Sequence, residues 1–188
     1  MIFTIPNLIS AIRIAGVPVF LWLLLGADDP ATAGWVLLAV GSTDWLDGFL
    51  ARRLNQVSEL GKMLDPIADR LAIVAALIGG WIAGVLPWWV ALLLLVREAL
   101  MGLLTLYLAT KTSERLEVRY LGKTATWAVY GGVTSFYIYA GTGWMFFRWW
   151  SWLYIVPGLA LYYVVALQYV GDVRGLLRVP EGSVSSAD

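Results

Sequence analysis

Residues 44–69 read D-W-L-D-G-F-L-A-R-R-L-N-Q-V-S-E-L-G-K-M-L-D-P-I-A-D, which sets Asp44, Asp47, Asp65 and Asp69 in segments otherwise apolar enough to lie in a bilayer. A carboxylate moved toward hydrocarbon costs at least ~2.5–3.5 kcal/mol, so four close together demand bound cations, a water-filled cavity, or both. At about 100° per residue, Asp44, Asp47, Gly48 and Ala51 fall on one stripe of a first helix, and Gly61, Asp65, Asp69 and Ala72 on one stripe of a second. The connection between them is short, so the two helices are expected to be antiparallel neighbours. Facing stripes would then gather the four acids near one end of a helical bundle.

Bare, such a cluster repels itself, and divalent cations remove the difficulty. Cys and His are absent, so any metal must be held by oxygen, which favours Mg²⁺, Mn²⁺ or Ca²⁺. Two ions ~3.5–4 Å apart, bridged by shared carboxylates, is the arrangement used for phosphoryl transfer. Gly48, Ala51 and Gly61 leave room for a bulky ligand beside the backbones, and Arg52 adds a fixed positive charge suited to phosphate. Pro66 removes a donor to the carbonyl of Lys62 and is expected to bend the helix there.

The rest of the chain supplies the setting. Of 188 residues, 60% are hydrophobic and only 14% charged, a composition expected of an integral membrane protein rather than a soluble domain. The missing Cys and His exclude disulfides, thiolate or imidazole metal sites and Ser-His triads, and nothing supports nucleic-acid binding. Apolar periodicity predicts six transmembrane helices, near 6–26, 31–52, 60–83, 87–110, 121–142 and 150–172, an all-α bundle with an N-terminal juxtamembrane segment. One domain over 1–178 is expected, followed by a disordered tail over 179–188. The N-terminal stretch M-I-F-T-I-P-N-L-I-S-A-I-R lacks the form of a removable signal peptide and is expected to remain as structure.

Arg52, Arg53, Lys62, Lys111, Arg115, Arg119, Lys123, Arg174 and Arg178 fall on one predicted side and Arg148 on the other. The positive-inside rule therefore places both termini and the acids toward the cytoplasm, with the metal site between the second and third spans near that face. Trp35, Trp81, Trp88, Trp89, Trp144, Trp149, Trp150 and Trp152 are expected near the opposite boundary as an aromatic belt. An ion or proton transporter would spread its acids along a path through the membrane. Here they sit on two adjacent helices near one face.

At these residues the chain resembles the CDP-alcohol phosphatidyltransferase family, whose signature D-x2-D-G-x2-A-R-x8-G-x3-D-x3-D is met by Asp44, Asp47, Gly48, Ala51, Arg52, Gly61, Asp65 and Asp69. The resemblance implies transfer of a phosphatidyl group from CDP-diacylglycerol to an alcohol with release of CMP, as part of phospholipid biosynthesis. It implies that Asp44, Asp47, Asp65 and Asp69 hold the divalent metal, Mg²⁺ or Mn²⁺ and two ions, and that Asp69 is also the general base. Gly48, Ala51, Arg52 and Gly61 resemble the CDP-binding positions. It further implies a homodimer in the bacterial cell membrane.

The opening I-P-N-L-I-S-A-I-R-I resembles the start of phosphatidylglycerophosphate synthases and the related cardiolipin synthases, with Ser10 where Thr is usual. Arg97-Glu98 resembles an R-E pair of the former group, and L-E-V-R-Y-L-G-K-T-A-T, residues 116–126, resembles members of either. Both imply a glycerol-type acceptor, with glycerol 3-phosphate expected first and phosphatidylglycerol, which would yield cardiolipin, as the alternative. An unpaired guanidinium inside a span is costly, so Arg97 is expected to face the cavity and contact acceptor phosphate, with Lys123 as its companion. Pairing of Arg97 with Glu98 without a substrate role is the competing reading. Arg13, Arg115 and Arg119 are weaker candidates for the same contact, with lipid headgroups at the interface as their competing partners.

Overall fold

The structure, a computed structural model, describes residues 5–54, 59–111 and 120–176, with side chains described over 11–43, 68, 70–104, 106, 122, 124–168 and 171. Among the described residues it is all helical: α1 (Ile5–Leu21), a short π-helical continuation (Trp22–Gly26), α2 (Pro30–Leu54), α3 (Glu59–Ile82), α4 (Trp88–Lys111), α5 (Tyr120–Thr142) and α6 (Met145–Leu176). The expected tail over 179–188 lies outside the described residues.

The turns follow from local chemistry. Pro30 opens α2, where its missing N–H costs nothing, and Asp29 caps the helix by accepting a hydrogen bond from the Thr32 amide at 3.0 Å. Gly84 (φ 69°) and Gly143 (φ 71°) end α3 and α5 in the left-handed conformation that glycine adopts without strain. The Gly143 amide closes on the Tyr139 carbonyl at 2.8 Å and the Trp144 amide on Thr142 Oγ1 at 3.2 Å. The chain therefore re-enters a helix at once, and α6 begins at Met145 rather than near 150.

Close helix contacts form where one partner is glycine. A Cβ on Gly132 would lie 2.6 Å from Ile155 Cγ1, and one on Gly158 3.0 Å from Val129 Cγ2, which explains the extensive packing of α5 on α6. The expected facing of the acid-bearing stripes of α2 and α3 falls on side chains outside the described residues. The two touch, but among the described residues α1 packs on each far more than they pack on each other. Gly16 lets Val40 approach α1, and Gly79 of α3 lies against Leu21 and Leu24. No pattern within residues 44–69 could reveal this wedge, because it is set by small residues elsewhere.

Phe20, Leu24, Leu37, Leu77, Val90, Val133 and Ile155 share one buried core with Tyr137, whose ring meets Phe20 edge to face at 5.3 Å. Tyrosine hydroxyls tie helices across it: Tyr137 donates to the Ala76 carbonyl, Tyr130 to Leu37, and Tyr163 to Leu93 at 3.0 Å. Large apolar side chains also cover the outside, among them Leu92, Leu100, Leu103, Val156 and Leu167. Met145–Gln168 is long and apolar enough to cross a membrane by length and composition, and Ala11–Gly26 and Arg70–Ile82 are shorter apolar stretches, so among the described residues one such span is found where six were expected. Trp81, Trp88, Trp144 and Trp149 are exposed around the α3–α4 and α5–α6 turns, and Trp89 stacks on Trp152 at 5.7 Å.

Candidate active site

Opposite that tryptophan-rich end, all six helices contribute to one cavity of about 210 Å³. α1 gives Arg13; α2 gives Val40 and Gly41; α3 gives Arg70, Ala72 and Ile73; α4 gives Arg97 and Glu98; α5 gives Thr126, Trp127 and Tyr130; α6 gives Tyr162. At ~30 Å³ per water it could hold about seven waters, room for a small polar headgroup. Three guanidiniums face one carboxylate in this lining, so the described wall carries two positive charges in excess. Such a wall suits a phosphate, which guanidinium binds through two parallel hydrogen bonds.

Each cation is held differently. Arg13 is 1% exposed, and its Nε donates to Thr43 Oγ1 at 3.4 Å. That sets aside the headgroup reading of Arg13 and leaves it in the cavity lining, because α1 packs against both α2 and α3 and turns residue 13 inward. Arg97 pairs with Glu98 at 2.5 Å, their side chains 12% and 14% exposed, and its guanidinium carbon lies 3.8 Å from the centroid of the Tyr162 ring. Among the described residues Arg97 Nε is buried without a hydrogen-bond partner, a situation that costs ~1–3 kcal/mol unless something else accepts from it. Arg97 thus pairs with its neighbour and also lines the cavity. Arg70 reaches over α4, where a Cβ on Gly102 would lie 2.7 Å from its Nη1.

The aspartates belong to the same two helices that floor the cavity. Asp44 follows Val40 by four residues and Gly41 by three on α2, and Asp69 precedes Ile73 by four and Ala72 by three on α3. In helical register each is thus one turn from a lining residue on its own stripe. The side chains of Asp44, Asp47, Gly48, Ala51, Arg52, Gly61, Asp65, Asp69 and Lys123 lie outside the described residues, as do Arg115 and Arg119 altogether. Among the described residues no group of acids, Cys or His is placed to hold a metal ion.

Several lining residues were not singled out in the sequence. Arg70 follows Asp69 directly and was hidden by the attention the acids attract. Tyr162 continues the buried stripe Ile155, Leu159, Tyr162 of α6, whose periodicity was available but reads as ordinary core. Trp127 is 60% exposed at the cavity edge, on α5 away from the belt at the other end.

A helical bundle with an arginine-lined cavity one helical turn from the positions of Asp44 and Asp69 has the chemistry to suit an anionic, phosphate-bearing ligand. The description of the CDP-alcohol phosphatidyltransferases matches residues 3–165, and the chain belongs to that family, an enzyme family of membrane-associated phospholipid synthesis. It is 40% identical over 184 residues to the cardiolipin synthase (CMP-forming) of Streptomyces coelicolor, covering 94% of this chain and 86% of that protein. It is 39% identical over 140 residues, 67% of this chain and 72% of the relative, to the CDP-diacylglycerol--glycerol-3-phosphate 3-phosphatidyltransferase of Bacillus subtilis. A Salmonella paratyphi A protein of the same name is 31% identical over 189 residues, covering 93% of this chain and 97% of the relative.

Proposed function

We propose that the chain transfers a phosphatidyl group from CDP-diacylglycerol to the hydroxyl of a glycerol-type acceptor that carries a phosphate, releasing CMP. The observation that carries the reading is the cavity lined by Arg13, Arg70 and Arg97 one helical turn from Asp44 and Asp69. The acceptor's phosphate lies among the guanidiniums, and its hydroxyl is presented toward the aspartates. Asp69 takes the proton of that hydroxyl as it attacks the phosphorus bearing the diacylglycerol, and CMP departs. Gly48, Ala51, Arg52 and Gly61 form the CDP subsite, and Lys123, three residues before Thr126 on α5, joins Arg97 at the acceptor phosphate.

The donor set of Asp44, Asp47, Asp65 and Asp69, all hard oxygen, fits Mg²⁺ or Mn²⁺. Held there, two such ions would supply charge neutralisation for the transfer. Helices of 24 and 25 residues reach ~36 Å, enough for a ~30 Å hydrocarbon core, and this supports a six-span arrangement with the site at the cytoplasmic face. The basic side assigned above from the sequence carries that orientation, and a homodimer belongs to the same reading.

Two acceptors share the required chemistry. Phosphatidylglycerol is supported by the near-complete coverage of the Streptomyces relative and by Trp127 at the cavity edge, where an acyl-bearing acceptor would enter from lipid. Glycerol 3-phosphate is supported by the excess of guanidinium charge, which matches a phosphate monoester, and by the Bacillus and Salmonella relatives. Radiolabelled CDP-diacylglycerol incubated separately with each acceptor, with products resolved by chromatography, separates them. Formation of cardiolipin or of phosphatidylglycerophosphate supports the reading; formation of neither, while another alcohol is consumed, overturns it.

A further inference from the structure

Arg97 and Glu98 are consecutive on α4, so their ion pair joins side chains about 100° apart and does not by itself fix where the guanidinium plane lies. α4 is also the least enclosed of the helices, touching only α3 and α6 appreciably among the described residues. What holds the guanidinium comes from a different helix. Its carbon stands 3.8 Å from the centroid of the Tyr162 ring of α6, close enough for face-on stacking. The ring is itself tethered: Tyr162 Oη donates to Thr126 Oγ1 at 3.2 Å, and Thr126 Oγ1 donates to the Gly122 carbonyl at 2.9 Å. One relay therefore runs from α5 through α6 to a cation on α4.

The stacking also decides which part of Arg97 is left for a ligand. One face lies on Tyr162 and Nη1 is engaged by Glu98, while Nε is buried in the cavity wall with no acceptor among the described residues. An arginine has four rotatable bonds, and a guanidinium stacked on a fixed ring has given up most of that freedom before ligand arrives.

We propose that Tyr162 is a positioning residue for the acceptor: its ring, anchored through Thr126, holds the Arg97 guanidinium so that its Nε edge meets the acceptor's phosphate. The inference rests on the reading of Arg97 as an acceptor contact. A tyrosine that served only as core would contribute bulk, and an aliphatic side chain of similar length would replace it.

The test is steady-state CMP release by the full-length protein in CDP-diacylglycerol micelles, varying acceptor and donor in turn, with a double-mutant cycle on Arg97 and Tyr162. Tyr162→Leu raises the acceptor KM about tenfold, the equivalent of ~1.4 kcal/mol and within reach of a desolvated cation–π contact, while the donor KM is unchanged. Tyr162→Phe keeps the ring but loses the tether to Thr126, and recovers only part of that loss. In an Arg97→Ala background Tyr162→Leu adds nothing to the acceptor KM. Tyr162→Met is the second aliphatic variant should Tyr162→Leu fail to fold. An unchanged acceptor KM in the aliphatic variant, an equal rise in both KM values, or additive effects with Arg97→Ala would overturn the role of Tyr162. If Arg97→Ala itself leaves the acceptor KM unchanged, the acceptor site falls and the inference falls with it; if only the Tyr162 variants are silent, the acceptor site stands without this device.

Discussion

Replacing Arg97 with alanine removes the guanidinium that stacks on Tyr162 and leaves a buried Nε for ligand. A charge-assisted hydrogen bond contributes ~1.5–3 kcal/mol, so its loss weakens acceptor binding roughly ten- to hundredfold. The same change strips Glu98, 14% exposed, of its partner, and a carboxylate left unpaired in such a place costs up to ~3–5 kcal/mol of stability. Binding and folding effects therefore have to be separated. Arg97→Ala combined with Glu98→Gln removes both charges of the pair and recovers much of the stability while leaving the acceptor site equally weak. The assay is initial-rate CMP release at saturating CDP-diacylglycerol with the acceptor varied, alongside thermal denaturation of each variant. The acceptor KM rises in both variants, and only the single variant melts markedly lower. A folded double variant with a wild-type acceptor KM would refute the placement of acceptor phosphate at Arg97.

Asp69→Asn is expected to lose nearly all turnover yet still bind CDP in equilibrium titration; full activity would remove Asp69 from the role of base. A Cβ on Gly41 would clash with the hydroxyl edge of the Tyr130 ring, so Gly41→Val overpacks the cavity wall, lowering stability by ~1–3 kcal/mol in chemical denaturation and raising the acceptor KM. Hydrogen bonds from Thr32 hold the Asp29 carboxyl below its ordinary value of 3.8. A depressed folded-state value means the cap stabilises α2 fully above the unfolded value and loses that contribution as pH falls through the folded one. Asp29→Ala therefore lowers thermal stability at neutral pH, and the gap to wild type closes as the pH approaches the bottom of that window.

The helices were legible because each carries a long apolar run between strong breaks: A-D-D-P before α2, A-G-V-L-P before α4 and A-G-T-G-W before α6 all mark turns in the structure. The start of α6 was misplaced by its Trp-rich opening, which looks like an interfacial loop until the Gly143 turn is seen to close at once. Residue spacing within α2 and α3 identified the acid stripes, since helical register is a local property. It was blind to the wedge of α1, which depends on Gly16 meeting Val40, and hence to the burial of Arg13. Arg97 could be anticipated from the cost of a charge within an apolar run. Its platform on Tyr162 could not, because no sequence pattern couples a position on α4 to one on α6 some 65 residues away.

The decisive measurement is CMP release from CDP-diacylglycerol by the purified protein, with and without Mn²⁺ or Mg²⁺ and with and without a phosphate-bearing glycerol acceptor. Rapid release only when metal and acceptor are both present is the predicted result. Release that persists in a chelator, or that proceeds equally well with no acceptor, would contradict it.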